Sequence, residues 1–340
     1  MITKLYEKFK KLIKENLYFI CLLILTFVVF NIPLPYYVDA PGGLVDVADH
    51  YEVSGKKNLE GQIYLAYVSE YRATIPIYLI ALLKKDWDII KKEAVVADNE
   101  TARENELRSR LLLDEANQNA VIVAYQKANK PLTITEENLY ITLVDSELQS
   151  DLKINDIIKT VDGQKFTSQA QLKKYVQTKK VGEKLSFVIM RNGKEKTLPI
   201  EVRMVDHQKM IGLATGINRK IKTDPDIEFH FANRESGPSG GFMMSLAIYD
   251  TLKNHQVVEE LKIAGTGTID ADGTVGEIGG IKHKIIGAHQ EGAEIFFAPA
   301  GENYHDALKL AQERNYQMEI IEVRTLDDAI AYLDEKKKLT

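Results

Sequence analysis

Ser236-Gly237-Pro238-Ser239-Gly240-Gly241-Phe242-Met243-Met244-Ser245-Leu246-Ala247-Ile248 is the stretch whose reading decides the fold. Glycines and a proline make a tight turn, and the apolar run after it reads as a helix over 241–252. Around this helix, residues 227–231 read as a strand before the turn and 261–269 as a strand after it. Residues 281–289 read as a helix, 293–298 as a strand, 303–314 as a helix and 319–323 as a strand. Thr325 and Asp328 have capping-box spacing and open a last helix. This alternation over 206–340 predicts an α/β layered domain.

The turn also carries the most reactive pair in the chain. Ser239 lies at the start of the apolar helix, and Lys284 follows later in Gly279-Gly280-Ile281-Lys282-His283-Lys284. A serine hydroxyl is a weak nucleophile until a base takes its proton. The glycines let the backbone approach a substrate closely, and a helix start aims N–H groups outward, where they suit an oxyanion. Taken alone, this segment also reads as an ordinary turn capping a buried helix. Ile281, Lys284, Ile285 and Ala288 follow the i, i+3, i+4, i+7 stripe, so Lys284 falls on the inward face. A buried lysine loses charge, which a general base near neutral pH requires. A lysine that snorkels outward with its stem packed is the alternative. Lys282 is about 160–200° around the helix from Lys284 and reads as a solvated lysine.

Three ordered motifs sharpen this. Gly237-Pro238-Ser239-Gly240-Gly241, then Ala264-Gly265-Thr266-Gly267-Thr268-Ile269, then Gly273-Thr274-Val275-Gly276 running into Gly279-Gly280-Ile281-Lys282-His283-Lys284 make residues 227–300 resemble the Lon-type proteolytic domain. That family uses a Ser–Lys dyad. The resemblance implies Ser239 as nucleophile, Lys284 as base and Thr266 as the residue whose hydroxyl orients the lysine. It also implies that the turn of Pro238, Gly240 and Gly241 shapes the oxyanion site. Thr266 reads otherwise as a plain strand residue. Ser236 stands where many relatives have aspartate, and Thr268 where glutamate is common. No cofactor and no metal enter this reading. His230 and His283 have no acidic partner at metal-ligand spacing, and His230 reads as a strand residue.

Residues 131–203 have the rhythm of a small β-rich module. Strands are expected at 139–144, at 154–163 ending in Asp162-Gly163, at 184–190 and at 196–202, with Asn192-Gly193 as a hairpin turn. A helix is expected at 167–178, capped by Ser168, with Leu172, Tyr175 and Val176 on one face. Leu152-Lys153-Ile154-Asn155-Asp156-Ile157-Ile158, Val161-Asp162-Gly163 and Arg191-Asn192-Gly193-Lys194 make the module resemble a bacterial PDZ domain. At the place of the carboxylate-binding loop, Ile134-Thr135-Glu136-Glu137-Asn138 has no glycine and two glutamates, which oppose a C-terminal carboxylate. Strand addition by a peptide stays open, as does a structural spacer.

Residues 36–126 carry a strand at 61–68, helices at 77–83, 87–96 and 104–128, and a polar loop at 98–105. Whether they complete the protease fold around an inserted PDZ-like module is left open by the sequence.

Lys4, Lys8, Lys10, Lys11 and Lys14 against Glu7 and Glu15 make residues 1–16 a basic tail. Residues 17–34 are uncharged and apolar, about 27 Å as a helix. Pro33 and Pro35 stop the helix, and Tyr36 and Tyr37 suit a membrane interface. The expectation is a cytoplasmic tail, a transmembrane signal anchor over 17–34 and an extracellular remainder in a single-pass protein of the cell membrane. A cleaved signal peptide is the alternative, though no small-x-small site precedes Asp39. The one cysteine, Cys21, lies in this span, so no disulfide is expected. A net charge of −5 argues against a nucleic-acid partner. No Gly-x-x-x-x-Gly-Lys-[Ser/Thr] run occurs, so nucleotide-driven unfolding is not expected.

The layout, with Tyr36-Tyr37-Val38-Asp39-Ala40-Pro41-Gly42-Gly43 after the apolar span, resembles the membrane-anchored PDZ–Lon peptidases of Gram-positive bacteria. That resemblance implies an ATP-independent serine endopeptidase acting on peptide or unfolded-protein substrates at the outer face. Exported peptides, signalling peptides among them, and membrane-protein segments are the implied substrates. Lon-type domains often form rings, which puts a homo-oligomer among the implied states. A non-catalytic membrane PDZ scaffold or chaperone is the competing reading. A different serine hydrolase lacks support, because no Gly-x-Ser-x-Gly elbow with a following acid and histidine is present.

Overall fold

The computed structural model describes residues 2–58, 61–97, 100–205, 207–232, 235–255 and 261–338. The chain divides into two compact units, Met1–Pro41 with Val68–Val95, and Gly42–Tyr67 with Val96–Thr340.

In the larger unit, strand Ile263–Gly265 lies at the centre of the α/β layer. It pairs in parallel with Ile63, Tyr64 and Leu65 on one side and with Ile295–Pro299 on the other, and Glu319–Val323 follows outside. Side chains alternate between the faces of the strands. Ile63, Ile263, Ile295, Phe297 and Val323 join the core of helices Gly241–Leu252, Ala102–Lys127 and Leu326–Lys337. Ala66, Ala264, Phe296 and Ala298 join a second core with helices Ile281–Gln290 and Glu302–Glu313. The result is the expected α/β layering, with the serine's helix and the lysine's helix on opposite faces. The expected strand 261–269 is broken: Ile263–Gly265 ends, Thr266 and Gly267 leave the sheet, and Thr268–Ile269 pairs with Val275–Gly276. Gly267 N donates to Ser239 O and Phe242 N donates to Gly267 O, so the turn at Ser239 takes over these backbone groups.

Helix Ala102–Lys127 starts on a full capping box between Thr101 and Glu104. Residues 102–105, read from sequence as loop, are therefore its first turn; Asp98 and Asn99 lie outside the described residues. Ala120 and Ala124 bring this helix close to the nucleophile helix, and Asn119 Nδ2 donates to Ile269 O at 2.9 Å.

The PDZ-like module is a five-stranded antiparallel sheet in the order Leu213–Thr223, Leu132–Val144, Ile157–Val161, Lys184–Arg191, Lys194–Glu201. Helix Gln169–Gln177 packs Leu172 and Val176 into its core, and Ser168 caps it by accepting from Gln171 N. Asn192 and Gly193 both have positive φ, as the two-residue hairpin requires. Asp156 is fully buried and takes Arg191 Nε and Nη2, both at 2.6 Å. The sequence reading placed no element between 206 and 226. Strand Leu213–Thr223 fills that gap and belongs to this sheet, its alternation masked by Gly216 and by the cations at 219, 220 and 222.

In the smaller unit, helix Leu17–Asn31 has no buried residue. It is shorter than the expected span of 17–34, because Asn31 Nδ2 folds back to Phe27 O and strand Pro33–Asp46 begins at a residue without an N–H. Among the described residues no single helix is long and apolar enough to cross a membrane. The pair Tyr6–Glu15 and Leu17–Asn31 passes the same test jointly, bent by 72°. The helix expected at 87–96 is a correction: Asp88–Lys91 is a strand paired with Tyr36 to Asp39, followed by a single turn, Lys92–Val95. The β-branched Ile89 and Ile90 favour a sheet edge once a partner strand is available.

Candidate active site

Ser239 sits in the last turn before helix Gly241–Leu252. Gly237 leads in with φ of 92°, a conformation that favours glycine, and its N–H donates to Ser109 O of the long helix. Gly240 lies so close to Leu65 that a Cβ would fall 2.8 Å from Leu65 Cδ2. A side chain at 240 would have to displace the tip of Leu65.

Lys284 lies on the second turn of helix Ile281–Gln290 and is 3 % exposed. Ile281, Ile285 and Ala288 are buried with it, as the helical stripe predicts, whereas Lys282 is partly exposed. Lys284 Nζ is 2.9 Å from Ser239 Oγ and 2.8 Å from Thr266 Oγ1. The two helices come from opposite faces of the sheet and meet past the carboxyl end of its central strand, where Thr266 leaves the sheet. In layered α/β folds that is where ligands bind.

Burial alone lowers the Lys284 ammonium from 10.5 to about 7. Removing an ammonium from water disfavours its charged form. Thr266, fully buried, fixes the direction of the amine. Its hydroxyl donates to Ser239 O at 3.0 Å, so toward Nζ its oxygen accepts. One lysine N–H is thereby used, and in the neutral amine the lone pair is left for Ser239 Oγ–H. The arrangement suits transfer of the serine proton to the lysine.

Of the turn residues, Pro238 has no N–H, and its carbonyl accepts from Gly241 N at 3.2 Å. Phe242 N is taken by Gly267 O. These bonds narrow the expected set of Pro238, Gly240 and Gly241: a developing oxyanion is left with the amides of Ser239 and Gly240. Ser236 is exposed, and Thr268 pairs with Gly276. His230 is exposed beyond strand Ile227–Phe229, and its backbone N–H donates to His50 O. Among the described residues no group of three or more His, Cys, Asp or Glu is placed to hold a metal ion. Leu65, Ser109 and Asn119 support the site and were not singled out from sequence. Their contacts join segments far apart in the chain, and no local signal marks them.

Comparison with known proteins follows the same division. The family profile of the Lon protease (S16) C-terminal proteolytic domain matches residues 202–334, and that of the PDZ domain matches residues 123–202. Lon protease 2 of Borreliella burgdorferi is 27% identical over 200 residues, covering 58% of this chain and 24% of the relative. Lon protease 1 of Sorangium cellulosum is 38% identical over 109 residues, covering 31% and 13%. The chain thus spans a quarter or less of the length of these curated relatives. The PDZ domain of the SdrC-like protein from Listeria monocytogenes is a solved structure with 23% identity and a TM-score of 0.23, covering 24% of this chain and 92% of that one. The chain therefore carries a serine-endopeptidase domain of the Lon protease (S16) type joined to a PDZ domain.

Proposed function

We propose that this protein is an ATP-independent, membrane-anchored serine endopeptidase that cuts peptides or unfolded chain segments at the outer face of the cell membrane. The observation that carries the reading is the buried Lys284 amine held between Ser239 Oγ and Thr266 Oγ1. Ser239 Oγ attacks the scissile carbonyl carbon as its proton passes to neutral Nζ. The carbonyl oxygen becomes an oxyanion facing the Ser239 and Gly240 amides. The C–N bond breaks, the leaving nitrogen takes the proton from Nζ, and an acyl ester stays on Ser239. Water then gives a proton to Nζ as its oxygen attacks the ester carbon; the C–Oγ bond breaks, Ser239 Oγ takes the proton back from Nζ, and the acid product leaves.

Three further features support the finer claims. An uncharged helix, Leu17–Asn31, with every residue outside the core follows a lysine-rich segment, which favours a membrane anchor with the tail inside. The sequence has no phosphate-binding loop, which favours substrates that need no unfolding. Exported peptides, signalling peptides included, and membrane-protein segments fit this position. A ring-like homo-oligomer belongs to the reading by resemblance.

The full chain in detergent, without nucleotide, is expected to cut a peptide library and an unfolded protein but not a stably folded one. Ser239→Ala and Lys284→Ala are expected to abolish cutting, and Lys282→Ala to retain it. Full activity in either dyad variant, or an ATP requirement, refutes the reading. Fractionation of cells, with external protease trimming the catalytic unit, tests the anchor and its orientation.

A further inference from the structure

Helix Ile75–Leu83 of the smaller unit reads Ile-Pro-Ile-Tyr-Leu-Ile-Ala-Leu-Leu, without a charged residue. A helix that packs on one side ordinarily turns polar residues to water on the other. Here the packed side is Ala81 and Ile77, which join Val38 and Ala73 in a small core with Trp87 and Ile89. The other side is apolar too. Leu79, Ile80, Leu82 and Leu83 are 53, 45, 61 and 86% exposed. At about 100° per residue they cover an arc of about 160°, centred opposite Ala81. No side chain on that arc can hydrogen-bond to water. A contiguous apolar face of this kind marks a partner or membrane contact.

The face continues the apolar surface of the proposed anchor. Helix Leu17–Asn31 adjoins helix Ile75–Leu83, and it is itself uncharged with no residue buried. Strand Pro33–Asp46 starts directly after it, and Tyr36 of that strand packs its ring on Tyr78, with 5.4 Å between centroids. The apolar face therefore stands at the end of the anchor that leads into the folded chain. The anchor is also short: 15 residues make about 22 Å, against a hydrocarbon core of about 30 Å. A short span thins the bilayer and draws its surface toward the elements at the ends of the helix. Those elements carry side chains that favour the interface. Trp87 and Tyr71 stack, 5.9 Å apart with 18° between planes, and Lys84 and Lys85 are exposed just past Leu83. Such rings settle at headgroup level, and lysines reach the phosphates with their stems in the apolar layer.

We propose, resting on the reading of Leu17–Asn31 as the anchor, that Leu79, Ile80, Leu82 and Leu83 form a second membrane contact. It is seated in the outer leaflet beside that helix, with Lys84 and Lys85 at anionic headgroups. One helix through a bilayer leaves the unit it carries free to turn about the helix axis. A second contact beside it stops that rotation and holds Tyr36 to Asp39 and Asp88–Lys91 at a fixed height above the lipid. The occupant of the face is lipid, and not a protein partner or a second copy of the chain.

Leu83→Cys, in a full chain that also carries Cys21→Ala and Ser239→Ala, takes a nitroxide label at the most exposed point of the face. In vesicles of phosphatidylcholine and phosphatidylglycerol, the label is expected to relax faster with oxygen than with a water-soluble nickel chelate, as an acyl-chain position does. Trp87 is the one tryptophan and reports beside it in the unlabelled Ser239→Ala chain. Phosphatidylcholine brominated near the top of its acyl chains is expected to quench Trp87 emission by about half. Leu79→Ser, Ile80→Ser, Leu82→Ser and Leu83→Ser together are expected to remove most of that quenching. This variant should still float with the vesicles through Leu17–Asn31 and keep its circular dichroism. A chain that floats with its label in water overturns the second contact and leaves the anchor standing. So does spin–spin broadening between labels, which assigns the face to a second copy, or quenching that survives the four serines. A chain that does not float overturns the anchor and the second contact together.

Discussion

Replacing Lys284 by methionine removes the base while keeping an unbranched side chain of similar reach, and the structure sets the size and pH dependence of the effect on stability. In the unfolded chain the lysine holds its proton up to about 10.5; in the fold burial brings the value to about 7. Between these values the unfolded state binds more protons, so stability rises with pH, by about 1.4 kcal/mol for each pH unit. Below pH 7 the penalty of the buried amine is fully present, and above 10.5 it is gone. At pH 8 folding strips a proton at a cost of about 3 kcal/mol. With the serine absent from both chains, methionine avoids that cost and gives up only the contact to Thr266, about 1 kcal/mol. The double variant Ser239→Ala/Lys284→Met is therefore expected to be more stable than Ser239→Ala at pH 8, by about 2 kcal/mol. The gap should shrink as pH rises and reverse near pH 10, as the proton cost falls below the one lost contact. Calorimetric unfolding of the two full chains across pH 7–10 measures this, with the serine removed from both so that self-cleavage does not intrude. A gap that stays constant over that range refutes the reasoning, because it means that Lys284 does not lose its proton on folding.

Three further outcomes follow from the same geometry. In the unmodified chain, kcat/KM on a peptide is expected to rise about tenfold per pH unit below pH 7 and to level off above it, as the Lys284 amine becomes neutral; a flat profile from pH 5.5 to 8 contradicts a lysine base. Thr266→Val leaves Nζ beside Ser239 but removes the oxygen that accepts its N–H; a drop in kcat of about tenfold with little change in KM is expected, corresponding to one hydrogen bond. Asp156→Ala leaves Arg191 without its buried partner and should destabilise the PDZ domain by about 3–5 kcal/mol, read as an earlier unfolding transition by circular dichroism.

Much of the site was legible because its signals are local. The stripe Ile281, Lys284, Ile285, Ala288 distinguishes the inward lysine from Lys282 within three turns of one helix, and the structure buries the former and leaves the latter partly exposed. Asn192-Gly193 and the capping box at Thr325 act over four residues or fewer, and both are formed. The failures share a different cause. Asp88–Lys91 is a strand because Tyr36 to Asp39 lies beside it, some fifty positions away in the chain. Strand 261–269 breaks at Thr266 because the serine turn claims the backbone of Gly267. Leu213–Thr223 shows no clean alternation, and its place is set by Leu132–Val144.

The amino-acid sequence by itself determined the identities: which serine, which lysine, which threonine, and a chain that alternates helix and strand around them. The serine and the choice of Lys284 over Lys282 follow from residue type and helical period, and Thr266 from the resemblance to the Lon-type domain; none of these needs a distant partner. Only the tertiary structure decided that the amine lies 2.9 Å from the hydroxyl across the end of a central strand, and that burial brings it to about 7. Each of these depends on segments meeting from far along the chain, and local propensity says nothing about which partner fills an edge or a cavity.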